Sequence, residues 1–330
     1  MRTTSIVHIG FHKTGTTWFQ ECVYPRVKNF RYVPRARVQA ALLEPTAFAF
    51  DAARAARELG GADAPLLLCE ENLSGYPHSG GLQGFLTRVL AERIRAALPS
   101  ARIVMFVRRQ PEMIAACYQQ YVRAGGTHSA QRYLWPSDWL RGAEAQAFKT
   151  PRFSFDHFDY DAVVAHYQAL FGAERVLVLP FEALQRDAGD FLGSFASRLG
   201  LELDAAEIPL AKRNPSYSPA LLALMRGLNR FTARSVNDKR HWVHLPRWYS
   251  LRRRAVEPLN RSGLFGRRAS PERVLGEHAV RWIEQRYAEP NRRLSKLVDF
   301  DLASFGYPLD RPATPVDRPR RARWLRFLVK

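Results

Sequence analysis

Four short, uninterrupted apolar runs punctuate the first half of the chain: Ile6 to Ile9, Leu66 to Cys69, Ile103 to Val107 and Val176 to Leu179. Each has the length of a strand, and none alternates with polar residues, which is the pattern of strands covered on both faces. Between them lie longer segments with apolar positions at helical spacing, near residues 16–27, 80–98, 111–124 and 159–171. Continuous apolar strands alternating with helices predict an α/β fold of three layers, a central parallel β-sheet flanked by helices. A further helix is expected from about Asp187 to Gly200, carrying Phe191, Leu192, Phe195 and Leu199. Another opens at Ser218-Pro219, a cap followed by proline in the first turn. Residues 125–158 look irregular and hold Tyr133, Trp135, Trp139, Phe153, Phe155 and Phe158, and a long insert of this kind is often functional. The pattern is that of one α/β domain over 1–310, with substrate-side insertions at 125–158 and 226–268 and a tail at 311–330.

The polar residues that follow the apolar runs give this scaffold its chemistry. Gly10 to Thr17 follow the first run, Glu70 and Glu71 the second, and Arg108 and Arg109 the third. Parallel sheets bind ligands at the carboxyl ends of their strands, so three separate runs converge on one edge. In the first segment, Gly10-Phe11-His12-Lys13-Thr14-Gly15-Thr16-Thr17-Trp18, a glycine loop leads into a helix start. Glycines let backbone N–H groups approach an anion, and the helix N-terminus adds positive potential. Lys13 contributes a mobile charge and the threonines contribute hydroxyl donors. The loop reads as a binding site for a phosphorylated nucleotide.

Composition narrows the class. With 330 residues, 46% of them apolar, the chain can bury a full core. Fifty Lys plus Arg against 31 Asp plus Glu leave a net charge of +19, which favours anionic partners. Cys22, Cys69 and Cys117 are far apart with no CxxC, and the nine histidines form no HExxH. That speaks against a zinc site or a disulfide framework and suits a reducing compartment, so no metal is expected. The first apolar stretch stops at His12 and Lys13, short of a signal peptide or membrane span. The expected location is therefore cytoplasmic. Charge concentrates late: Arg226 to Arg268 hold twelve Lys or Arg and only two acids, interleaved with Phe231, Trp242, Trp248, Tyr249 and Phe265. Arg318 to Lys330 hold six basic residues with Trp324, Leu325, Phe327, Leu328 and Val329, the composition of a peripheral contact with the inner face of a membrane. A solvated basic face and a packed terminus account for the same two segments.

The loop order is G-x-x-K-x-G-T-T, whereas the common NTPase loop places lysine directly after the second glycine. The order seen here resembles the 5'-phosphosulfate-binding loop of sulfotransferases that use 3'-phosphoadenosine 5'-phosphosulfate (PAPS), within a P-loop-type fold. The resemblance implies a donor site over His12, Lys13, Thr14, Gly15, Thr16, Thr17 and Trp18. In that family the third strand ends in an arginine, followed eight residues later by a serine and then x-Tyr, which together hold the 3'-phosphate. Val107-Arg108-Arg109-Gln110-Pro111 through Cys117-Tyr118 keeps the arginine, as Arg108 or Arg109. The serine is replaced by Ala116 or Cys117, depending on the anchor chosen. Cys69-Glu70-Glu71-Asn72-Leu73 resembles the S-E-N-L segment of bacterial and Golgi-type carbohydrate sulfotransferases, which makes Glu71, with Glu70 as the alternative, the base that takes the acceptor proton. Pro180-Phe181-Glu182-Ala183-Leu184 is similar to the family's f-E-x-L segment, and Arg213-Asn214 to a loop over the nucleotide. The resemblance covers about residues 4–310. It implies sulfuryl transfer from PAPS to a hydroxyl, with 3'-phosphoadenosine 5'-phosphate (PAP) as product and a glycan as the expected acceptor; the basic 226–268 segment suits an acidic one. Nucleic acid ranks behind it as a partner. A Mg-ATP kinase or NTPase, or a non-catalytic polyanion- or membrane-binding protein, is the alternative.

Overall fold

A computed structural model describes residues 4–61, 64–139, 151–209, 217–233, 239–262, 270–310 and 315–318. The chain falls into two compact units. The first combines 1–109, 155–214 and 290–307, and the second 110–154, 215–289 and 308–330.

The first unit carries a five-stranded, all-parallel sheet. Its strands are β1 (Ile6–His8), β2 (Arg31–Tyr32), β3 (Leu66–Cys69), β4 (Arg102–Val107) and β5 (Val176–Pro180), in the order β2-β3-β1-β4-β5. Register is set at the centre by Val7 beside Leu68 on one side and Ile103 on the other. All of β1, β3 and β5 is buried, and β4 is buried except at Arg102. The four predicted runs are these strands, to within a residue at each end. β2 went unforeseen because two residues, one of them Arg31, carry no pattern.

On one face of the sheet, Ile6, Leu67, Cys69, Val104, Phe106, Leu177 and Leu179 pack against Phe19, Cys22 and Val23 and against Phe191, Leu192, Phe195 and Leu199. Phe19, Phe106 and Phe195 form the centre, with ring centroids 5.0–5.8 Å apart. The first group of packing residues belongs to the helical stretch that starts at Thr16, and the second to helix Ala188–Leu199. The Asp187 carboxylate caps that helix by accepting from the N–H groups of Gly189 and Asp190. The other face is covered by helices Phe85–Ala97 and Tyr160–Phe171, which pack on each other; the second also lies against β4 and β5. Two elements had no clear signal in the sequence: helix Ala52–Leu59, capped by Asp51, and the helical stretch from Arg35 to Leu43.

In the second unit, helix Gln110–Arg123 packs against helices Pro219–Leu228 and Pro271–Leu275. The buried Asn229 amide donates to the carbonyls of Val122 and Gly126 at 2.8 and 2.7 Å. Arg252, from helix Trp248–Ser262, bonds to Asn229 and donates to the Arg123 carbonyl at 3.0 Å. A cation thus sits at the carbonyl end of a helix, where the dipole favours it.

The segment 125–158, expected to be irregular, holds short ordered elements among its described residues. Ser129 caps a short helix at Ala130–Leu134, and further turns follow at Pro136–Trp139 and Phe155–Phe158. Tyr133, Trp135, Phe153 and Phe158 are buried, and Tyr133 lies against Tyr118, Tyr121 and Phe153. Large apolar rings in a small insert are more stable packed against one another than left in water. Residues 140–150 lie outside the described residues.

Replacing Phe195 with alanine removes a buried ring from the centre of the aromatic cluster. The expected cost is about 3–5 kcal/mol, measurable as a lower urea midpoint with an unchanged slope.

Candidate functional site

Beyond β1 the chain continues alongside β4. Ile9 N–H donates to Val104 O and Phe11 N–H to Phe106 O, both at 3.0 Å, and Gly10 O accepts from Phe106 N–H at 2.6 Å. Gly10 then turns with φ 109°, in the left-handed region. A Cβ there would meet Glu71 Cα at 3.2 Å and its Cβ at 3.3 Å, so glycine allows the end of β3 to press against the loop. Lys13 and Gly15 also have positive φ, 61° and 88°. For Lys13 this is a strained conformation of the kind that concentrates in ligand loops. Thr14 Oγ1 donates to Phe11 O at 2.6 Å and braces the turn from inside. Gly15 O accepts from the N–H groups of Trp18 and Phe19 and starts the helical stretch. Thr16 is buried, Thr17 is exposed, and Trp18 Nε1 donates to Pro209 O at 2.8 Å.

Two carboxylates stand at the end of β3 in different environments. Glu70 is fully buried and accepts from Arg35 Nε and Nη2, Gln39 Nε2, Asn72 N and Asn72 Nδ2, at 2.7–3.1 Å. Burial works to raise its pKa, but the Arg35 hydrogen bond, the Asn72 N–H and Gln39 together outweigh it and hold the group below its ordinary value. Five donors saturate a carboxylate, which offers about four lone-pair sites. Glu71 is 13% exposed and, among the described residues, accepts from Arg35 Nη2 at 2.8 Å and Gln20 Nε2 at 2.9 Å, one bond on each oxygen.

Asn72 links this pair to the loop. Its Nδ2 donates to Glu70, so its Oδ1 accepts from His12 Nε2 at 3.1 Å. That fixes the proton on Nε2 and leaves Nδ1 as a buried lone pair, to which no described residue donates. Burial lowers the His12 pKa despite Glu71 and Asn72. His78 and His157 are also buried, and both are pushed down to about 3. Burial is the main cause; His12 and Lys13 add to it at His78, and His12 and His78 add to it at His157. His12, His78 and His157 therefore form one buried group, with Lys13 close enough to act on the first two.

The arginines after β4 diverge. Arg108 Nη1 donates to Lys13 O at 3.0 Å, and the Arg108 guanidinium lies 5.2 Å from the Phe181 ring centroid. Tyr160 hydroxyl donates to the Arg108 carbonyl at 2.9 Å. Arg109 N–H donates to Glu182 Oε1 at 2.9 Å, while Glu182 Oε2 accepts from Tyr307 at 3.1 Å. Phe181 also lies against Gly15, 3.3 Å from where a Cβ would stand. The segment after β5 is thus a brace for the loop. Lys13, Glu70, Glu71, Arg108 and Arg109 all belong to the first unit and its strand ends. Cys117 is buried in helix Gln110–Arg123 of the second unit, and Arg213 and Asn214 lie outside the described residues. Sequence reasoning missed Arg35, Gln39 and Gln20 as members of this network. Asn72 was visible within the E-N-L segment, without its role.

No family model matches the chain, and no curated protein matches it. Among solved structures it is similar to a sulfotransferase from Alicyclobacillus acidocaldarius, at 17% identity and a TM-score of 0.46, over 65% of this chain and 87% of that one. It is also similar to the mouse sulfotransferase SULT7A1 complexed with PAP, at 15% identity and a TM-score of 0.41, over 90% of this chain and 88% of that one.

The buried histidines make stability depend on pH in a definite direction. His8, His78 and His157 all drop from 6.5 to about 3 on folding, by burial above all, so the unfolded chain binds more protons between these values. Their contribution is intact above pH 6.5 and is lost as pH falls, at up to about 1.4 kcal/mol per pH unit for each. The melting temperature should fall steadily from pH 7 to pH 5, with a slope made shallower by about one proton in His157→Gln. A melting temperature constant across that range would overturn the assignment.

Proposed function

We propose that this protein is a sulfotransferase that moves a sulfuryl group from PAPS to a hydroxyl, and that the acceptor is a glycan. The observation that carries the reading is the contact at Gly10, which sets the anion-binding loop directly against Glu71. A donor cradle and a carboxylate then share one strand edge, as transfer to an alcohol requires.

In this reading Gly15, Thr16 and Thr17 hold the 5'-phosphate through N–H and hydroxyl donors, with His12, Thr14 and Trp18 shaping the loop around it. Arg108 and Arg109 meet the 3'-phosphate, with Arg213 and Asn214 as further donor contacts. Arg108 already fastens the main chain at Lys13, so nucleotide binding and loop shape are coupled through it. The acceptor oxygen attacks sulfur while the bond from sulfur to the bridging phosphate oxygen breaks. Lys13 neutralises the charge that grows on that oxygen, and Glu71 takes the acceptor proton. Glu71 is the base because its two hydrogen bonds leave lone pairs for an acceptor hydroxyl. Glu70 has none left, and acts by holding Arg35 and Asn72 in place.

Thermal unfolding with PAP separates the readings. Ligand at about 100 times its dissociation constant adds roughly 2.7 kcal/mol, which raises the midpoint by several degrees. PAP should do this where ATP with Mg²⁺ and adenosine 5'-phosphosulfate do not, and Arg109→Ala should weaken the effect. Stabilisation by ATP with Mg²⁺ alone would instead support a kinase.

Turnover assays with PAPS separate the residues. Lys13→Ala should lower turnover by about 100-fold or more with the fold intact. Glu71→Gln should lower turnover by a similar factor of about 100 while PAP still binds. Glu70→Gln should lower the melting temperature as well as activity, through a network loss of about 1–3 kcal/mol. Full activity in Glu71→Gln would remove it as the base.

A further inference from the structure

The second unit holds a surface that the donor-site reading leaves unused. Trp242, Val243, Leu245 and Leu251 are 69%, 47%, 42% and 61% exposed, an unusual density of bare apolar side chains within ten residues. Around them Arg240, Arg247, Arg253 and Arg254 are exposed too. From Lys239 to Val256 there are six Lys or Arg and no acid.

This surface is built, because its backbone is fastened from beneath. Trp242 N–H donates to Arg230 O at 2.7 Å, Leu245 N–H to Phe231 O at 3.1 Å, and Ala233 N–H to His244 Nδ1 at 3.1 Å. Trp248 Nε1 donates to Leu228 O at 2.8 Å and fixes the start of helix Trp248–Ser262. The Phe231 ring supports Trp242 and Trp248 edge-on, at 5.7 and 6.2 Å. Arg252, turned inward to Asn229 and Arg123 O, anchors the same helix while Leu251, Arg253 and Arg254 face solvent.

We propose that this platform is a docking surface for a membrane rich in anionic phospholipid. Charge complementarity selects an anionic partner. The apolar side chains choose among anionic partners: a nucleic acid or acidic glycan rewards the arginines but leaves an exposed indole, valine and leucines in water. A lipid interface rewards both. Tryptophan suits the headgroup boundary, the aliphatic side chains enter the acyl layer, and the arginines stay with the phosphates. Docking there would hold the protein at the membrane face. The platform's existence, however, does not depend on what the donor site does.

The test uses the full chain, sedimented with vesicles of phosphatidylcholine alone or with about one-third phosphatidylserine. The wild type should bind only the mixed vesicles. Trp242→Ser/Leu245→Ser and, separately, Arg253→Glu/Arg254→Glu should each weaken that binding by about tenfold or more. All these side chains are exposed, so the melting temperature should be unchanged within about two degrees. The basic tail is intact in both variants; undiminished binding in both would place the contact outside the platform and overturn the proposal. Loss in the arginine variant alone, with heparin or DNA bound equally well by the apolar variant, would make the surface a polyanion site and also overturn it. Failure of the wild type to bind mixed vesicles would do the same.

Discussion

A carboxylate buried without partners is among the most costly groups a fold can contain, and Glu70 is buried completely. Its five donors are therefore a condition of the fold. They fix the conformation of everything that supplies them: Arg35 and Gln39 on the helical stretch after β2, and Asn72 at the turn after β3. Arg35 extends the network to Glu71, and Asn72 extends it to His12 in the glycine loop. One saturated ion thus sets the rotamer of the carboxylate beside it and, through Asn72, the tautomer of His12, sixty residues from Asn72 in sequence.

This division of labour explains why two adjacent glutamates are not interchangeable. Neighbouring residues leaving a strand point to different surroundings. Glu70 points inward and is consumed by the scaffold, while Glu71 faces partly outward with acceptor capacity left. In sequence only the E-N-L resemblance favours Glu71 over Glu70, because the donors that distinguish them physically come from residues 20, 35 and 39. Arg35 and Gln39 follow no spacing rule relative to Glu70 and are brought to it by the parallel pairing of β2 with β3, while Gln20 reaches Glu71 from the helical stretch after β1, which pairs with β3 on its other side.

What was legible followed from local physics. Strands buried on both faces must be continuous apolar runs, so four of the five strands showed themselves, and with them the edge at which the glycine loop and the two glutamates meet. Loop glycines and a lysine between them are read as spacing alone. β2 escaped because it is two residues long, and the stretch at 125–158 misled because aromatic residues in a polar context read equally as binding groups or as a small core. Tyr133 and Phe153 are of the second kind. The role of Arg108 was half visible: its place at the end of β4 is a sequence fact, but its hydrogen bond to the Lys13 carbonyl joins residues 95 apart.

The positive charge of the chain divides along the same lines. Around the loop, cations are held in place: Arg35 by two glutamates, Arg108 by the Lys13 carbonyl and a phenyl ring, and the nearby histidines kept neutral by burial. In the proposed reading, Lys13 would then meet a donor phosphate among groups that are already held in place. In the second unit the arrangement is reversed, with arginines exposed and interleaved with apolar side chains on a backbone that is itself well fastened. Fixed charge suits recognition of one small anion in one geometry. Exposed, mobile charge suits a surface whose anions are many and can rearrange. If both regions bind negative charge as proposed, they do so by different means, and the distribution of arginine is what tells them apart.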